Sequence, residues 1–232
     1  MYILGIETAT RTGGVAIVSE DGVLAEYTLN IEVTHSERLM STVDRVFKDT
    51  GLRMASIDGF GVSIGPGSFT GLRIGLSTVK GLAFTTGKPV AAVPTLKALA
   101  WNTPHARYPV CPLLDARKKE VYAALYRYNG RELVQDLPET VLPLAELAER
   151  VAGELLFTGE GARLFAGDIE RLFAGRAHFA PRSATVPSAA SIAEIALDMI
   201  SVGRQTGPDG LSPMYIRRPE AELAWEKRER SR

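Results

Sequence analysis

Residues 65–75 read GPGSFTGLRIG, a glycine-rich turn that runs straight into an apolar helical pattern. Glycine-rich turns at helix N-termini present backbone N–H groups to phosphates, so nucleotide binding is the first chemistry to weigh. A P-loop places a lysine and a hydroxyl directly after its last glycine, whereas here Gly71 is followed by Leu72 and Arg73. The dinucleotide fingerprint fails as well, because Gly65, Gly67 and Gly71 leave a three-residue second gap and that motif has a shorter one. Both standard phosphate motifs are thereby weakened.

Metal and nucleophile chemistry have little to work with. His35, His105 and His178 are the only histidines, and no two stand at the i, i+4 spacing that would put both on one helical face for a metal. His35 falls in the first turn of a helical pattern, where a surface or capping role is expected. His105 lies in a proline-containing loop and His178 beside Phe179, neither with a carboxylate or cysteine arrangement nearby. Ser68 sits in Gly-Ser-Phe and not in a G-x-S-x-G elbow, so nothing marks it as an activated nucleophile. Cys111 is the single cysteine, which excludes an internal disulfide and a cysteine-based zinc cluster and fits a reducing cytoplasm. Hydrolase chemistry is therefore not expected, and no metal ligand is expected in this chain.

The elements that would position these residues form a repeat. Residues 2–24 and 110–132 each hold a short apolar run ending in a carboxylate (Glu7, Asp115), a polar turn, a second apolar segment and a D-G or N-G turn. A common offset of 108 aligns Glu7 with Asp115, Ile17 with Leu125, Asp21 with Asn129 and Gly22 with Gly130, which argues for two copies of one supersecondary unit. Thr34 and Glu37 form a capping box, and Leu39, Met40, Val43, Val46 and Phe47 continue at helical spacing to about residue 50. A buried strand over DGFGVSI, a helix over about 70–86, a strand over KPVAAV and a helix over TLKALAWN complete the first half. The second half carries helical patterns near 143–152, 161–173 and 188–202 and a strand at ELLFTG.

Two tandem α/β subdomains are therefore expected, 1–105 and 106–216, with a boundary near 103–109 and a charged tail at 217–232. The 232 residues suffice for two modest cores. Lys plus Arg equals Asp plus Glu at 27 each, so bulk charge does not grip nucleic acid, although a local basic patch stays open. The N-terminal apolar run meets Glu7 too early for a signal peptide, and no run approaches a membrane span.

Duplicated hairpins with an acidic residue ending the first strand resemble the nucleotide clamp of actin-like ATPases and sugar kinases, with a ribonuclease H-like fold. That resemblance makes Glu7, Thr8, Thr10 and Gly13 candidate vestigial nucleotide contacts. In the second loop, DARKKE, Arg117, Lys118 and Lys119 stand where small residues would be wanted. An equal alternative is that Glu7 and Asp115 merely finish strands. On the 70–86 pattern, Gly71, Gly75 and Thr78 form a small-residue stripe beside Leu72, Leu76, Val79 and Ala83. Such a stripe admits another backbone closely, whether from the same chain or from a partner.

Taken together, ILGIETAT, THSERLM, SIGPGSFTGLRIGLSTVKGLA, LLDARKKEVYAALY and PMYIRR resemble the TsaB (YeaZ) family, the bacterial partner of TsaD in threonylcarbamoyl modification of tRNA. Glu7 stands where that family usually has aspartate. The resemblance implies a non-catalytic actin-like scaffold that activates TsaD for transfer to adenosine 37 of ANN-decoding tRNAs. TsaD carries a metal-binding histidine pair in the stretch equivalent to residues 91–103, which hold no histidine. The resemblance also implies a heterodimer with TsaD, a homodimer when the chain is alone, and binding of the ATPase TsaE through the heterodimer. The implied partner or dimer interface comprises His35, Leu39, Met40, Val43, Phe47, Gly71, Leu72, Gly75, Leu76 and Val79. Arg217 and Arg218 are candidate tRNA contacts, and ATP or ADP is expected only at the interface with TsaD. An actin-like ATP-binding kinase or ATPase and a metalloprotease-like hydrolase are the alternatives.

Overall fold

The computed structural model describes residues 1–29 and 35–217, and within these the side chains of 35–37 are not described. The Thr34–Glu37 capping box, the His35 side chain, Arg218 and the rest of the charged tail lie outside the described residues.

Five strands make the first sheet: β1 (Tyr2–Glu7), β2 (Gly13–Ser19), β3 (Gly22–Leu29), β4 (Gly59–Gly65) and β5 (Val90–Pro94), in the order β3-β2-β1-β4-β5. β1 to β3 form an antiparallel meander, and β4 and β5 add in parallel. The second sheet repeats the plan with β6 (Val110–Asp115), β7 (Glu120–Asn129), β8 (Glu132–Pro143), β9 (Leu155–Thr158) and β10 (Ala177–Phe179), ordered β10-β9-β6-β7-β8. β10 has only three residues, too few to leave a period in the sequence.

The repeat is real in topology but not at one offset. Glu7 and Asp115 do end equivalent strands. At the hairpin ends, however, Ser19 opposite Gly22 corresponds to Asn129 opposite Glu132, 110 residues on. β7 is three residues longer than β2 and carries two register irregularities, so its turn falls later than the D-G and N-G pairing predicts.

Burial explains the helices. On one face of the first sheet α1 (His35–Thr50) and α2 (Phe69–Thr86) bring Leu39, Val43, Val46, Leu76 and Val79 onto Leu4, Ile6, Val15, Ile17, Phe60 and Val62. Ser68 caps α2 through its hydroxyl and Gly87, at φ 69°, ends it, the expected asymmetry of helix ends. On the other face Gly5, Gly61, Ala16 and Ala91 lie among Ile3, Val18 and Val93 and take α7 (Ala189–Ser201), an alanine-rich helix. A Cβ at Gly5 would stand 2.3 Å from the Ala189 carbonyl oxygen, and one at Gly61 2.6 Å from the Ala196 Cβ. α7 was assigned by sequence to the 106–216 half, yet its apolar residues pack with β1, β2 and β5 of the first sheet.

The exchange is reciprocal. α3 (Thr95–Trp101) sets Leu96, Leu99 and Ala100 against Val110, Leu114, Ala124 and Tyr126 of the second sheet. α4 (Leu144–Arg150), α5 (Glu160–Leu164) and α6 (Ala166–Phe173) complete the second core, the 161–173 pattern being broken at Phe165. No described helix is long and apolar enough to cross a membrane.

Candidate functional site

The two loops that follow β1 and β6, and the glycine-rich turn that follows β4, come from the C-terminal ends of their strands. Ligands of open α/β sheets gather at such ends, so the state of these loops decides what the cleft can do.

In this chain the glycine-rich turn is docked onto the first loop. The Ser68 N–H donates to the Ala9 carbonyl at 2.6 Å, and a Cβ at Gly67 would lie 2.1 Å from the same oxygen. Ser68 Oγ accepts from the Gly71 N–H at 3.2 Å, and the Met214 N–H donates to the Ile64 carbonyl at 2.7 Å on the other side. Gly75 faces inward too, where a Cβ would meet Thr8 Oγ1 at 2.3 Å. The turn thus uses the Ser68 and Gly71 N–H groups within the chain and holds two backbones in contact.

Beneath it most of the first loop is buried, with Arg11 exposed at its tip. Glu7, Thr8, Thr10 and Thr12 are all buried, and Thr10 Oγ1 and the Thr12 backbone bond one another. Gly13 belongs to the β2–β3 ladder opposite Leu29. Glu7, Thr8 and Thr10, expected as vestigial nucleotide contacts, are therefore buried side chains here. The Glu7 carboxylate accepts the Ala9 N–H through Oε1 at 2.5 Å, while Glu7 Oε2 and Thr8 Oγ1 have no partner.

Burial pushes the Glu7 carboxyl up to about 7, offset in part by hydrogen bonds from Ala9, Ser63 and Thr10. A folded-state pKa above the unfolded value means that the folded chain holds the proton longer. Folding is then favoured at low pH, and stability falls as pH rises from about 4.5 to about 7. A shift of this size corresponds to about 3 kcal/mol. Glu7→Gln is therefore expected to flatten the pH dependence of urea unfolding across that window, gaining on the wild type as pH rises. Parallel curves for both proteins would show that Glu7 is ionised and solvated.

The second loop is shaped differently. Arg117, Lys118 and Lys119 have φ of 60°, 53° and 62°, a left-handed turn built without glycine that costs roughly 1–2 kcal/mol per residue. All three are exposed. Arg217, expected as a candidate tRNA contact, donates to the Ala116 carbonyl at 2.6 Å and pairs with Glu120, so it braces this loop. Burial and Asp115 raise the Glu160 carboxyl while Arg11 lowers it.

Most of the expected interface residues are core. Leu39, Val43, Leu72, Leu76 and Val79 are at most 6% exposed, Gly71 and Gly75 are buried, and Phe47 packs against the first core. Leu39, Val43, Leu76 and Val79 pack with the first sheet, while Phe47 is half-buried. Among the described side chains of that set Met40 is the exposed one, at 52%. The exposed stripe of α2 runs through Phe69, Arg73, Ser77 and Phe84, with Phe84 82% exposed. Arg73 lies over the Phe69 ring at 3.8 Å, and Tyr215 stacks on the same ring at 5.3 Å. The i, i+4 pair Phe69–Arg73 and the lone Phe84 were readable on the polar side of the helix.

Elsewhere, His178 stacks on Tyr108 and faces Glu154 at 3.0 Å, and burial pushes the Cys111 thiol pKa up. Among the described residues no group of three or more His, Cys, Asp or Glu could hold a metal ion. A cavity of about 480 Å³ opens between the two hairpin ends, with Trp101, His105, Tyr128, Glu194 and Asp198 in its walls. These come from separate segments, so no sequence spacing announces them.

The family model TsaD, tRNA N6-adenosine threonylcarbamoyltransferase, matches residues 22–225. The chain is 31% identical over 228 residues to the tRNA threonylcarbamoyladenosine biosynthesis protein TsaB of Bacillus subtilis, covering 97% of this chain and 98% of the relative. The solved structure of YeaZ from Pseudomonas aeruginosa superposes with a TM-score of 0.79 at 27% identity, covering 92% and 99% of the two chains. A ROK hexokinase from Thermus thermophilus shares the fold alone, at TM-score 0.52 and 12% identity, over 88% of this chain and all of that one. With two β-meander sheets of identical order and relatives matched end to end, this chain belongs to the TsaB (YeaZ) family of tRNA threonylcarbamoyladenosine biosynthesis proteins and has its actin-like fold.

Proposed function

We propose that this chain is a non-catalytic subunit that binds TsaD and activates it for threonylcarbamoyl transfer to adenosine 37 of ANN-decoding tRNAs. The observation that carries this reading is the docking of the glycine-rich turn on Ala9, which joins the turn to the first loop and speaks against its use as a phosphate cradle. A kinase or ATPase reading would need Thr8 and Thr10 at the surface, and they are buried.

The docking face is the open side of α1 and α2, centred on Met40, Phe69, Arg73 and Phe84. Exposed aromatic, methionine and arginine side chains are the types enriched at interface centres. TsaE would join through the heterodimer, and the same face would pair two copies of this chain when TsaD is absent.

Light scattering on a sizing column tests the assembly. A one-to-one complex with the cognate TsaD that replaces any self-associated form is the expected result, and independent elution of the two proteins would overturn it.

A further inference from the structure

The left-handed turn at Arg117–Lys119 is held by four hydrogen bonds. Ala116 N–H donates to the Glu120 carbonyl at 3.0 Å, Glu120 N–H to the Arg117 carbonyl at 2.9 Å, and Arg117 N–H to Asp115 Oδ1 at 2.7 Å. Arg217 adds the fourth, to the Ala116 carbonyl. Strain that the surroundings over-determine in this way collects at functional sites, and glycine would sit here at lower cost. The strained backbone instead carries exposed Arg117 and Lys119 on one rigid hairpin tip. Glu120, the carboxylate beside them in sequence, is paired with Arg217, so it leaves their charge to the solvent side.

Resting on the reading that the complex acts on tRNA, we infer that this turn is an RNA-backbone contact, in which Arg117 and Lys119 receive neighbouring tRNA phosphates. A phosphate chain presents repeated negative charges at short intervals, and closely spaced cations on a fixed backbone complement it. A single nucleotide fits less well, because the loop that would share its phosphates is buried. Arg217 is the brace and the tip is the contact.

The test is tRNA binding by the assembled complex with the cognate transferase, measured by filter binding over a range of salt. Arg117→Gln with Lys119→Gln removes charge and keeps the strain. It is expected to weaken binding roughly 10- to 100-fold at about 0.1 M salt and to make the salt dependence shallower by about two phosphates. Arg117→Gly with Lys119→Gly should weaken binding equally while raising the melting temperature by about 2–6 °C, because the left-handed strain is relieved. Unchanged affinity and salt slope in the glutamine pair would overturn the inference. Loss of complex assembly in that pair would overturn it too, since the cations would then meet protein carboxylates. If the wild-type proteins form no complex, the functional reading fails separately, and the chain alone decides: tRNA binding lost in the glutamine pair supports the contact, and no tRNA binding overturns it.

Discussion

Gly67→Ala is expected to destabilise this chain by about 3 kcal/mol, at the upper end of the range for overpacking a well-fitted contact. The added Cβ would stand 2.1 Å from the Ala9 oxygen and 2.9 Å from the Ala9 Cβ, and backbone, unlike the end of a flexible side chain, cannot swing aside. The turn would have to lift from the first loop, breaking the Ser68 N–H bond to Ala9 and letting water reach Glu7. Gly81→Ala, on the exposed side of α2 with nothing within 4 Å of the new Cβ, is the matching control and should stabilise by about 0.5–1 kcal/mol. Urea unfolding of both variants gives the answer. Equal effects at the two positions would mean that the turn and loop are not in contact.

Phe84→Asp should do the reverse, leaving the fold intact and removing the partner. With 82% of the side chain open to water, its replacement is worth no more than about 0.5 kcal/mol to stability. At the centre of an interface the same change deletes an aromatic anchor and buries an unpaired charge, a loss of about 2–4 kcal/mol, or roughly 30- to 1,000-fold in affinity. Titration of labelled TsaD with both proteins measures it. Undiminished affinity would move the interface off α2.

The contrast between these glycines and this phenylalanine marks what local sequence patterns can tell. That GPGSFTG is neither a P-loop nor a dinucleotide motif followed from spacing alone. That it closes on Ala9 did not, because the contact joins segments far apart in the chain and depends on how β1 and β4 pair. Leu39, Val43, Leu76 and Val79 have helical spacing whether they face a sheet or a partner, so periodicity found the helices and could not say what covered them. α7 shows for the same reason as a helical pattern in the 106–216 half, while its packing on the first sheet, where its alanines match Gly5 and Gly61, leaves no local signal. Arg117, Lys118 and Lys119 were visible as a bulky substitute for a phosphate loop, but their left-handed backbone and the Arg217 brace exist only in three dimensions.

The most direct test of a non-catalytic activating subunit is single-turnover threonylcarbamoyl transfer to tRNA by the cognate TsaD, supplied with threonylcarbamoyl-adenylate, with and without this chain. Transfer is expected only when both proteins are present, and none from this chain alone. Transfer by this chain without TsaD, or an equal rate from TsaD without this chain, would contradict the account.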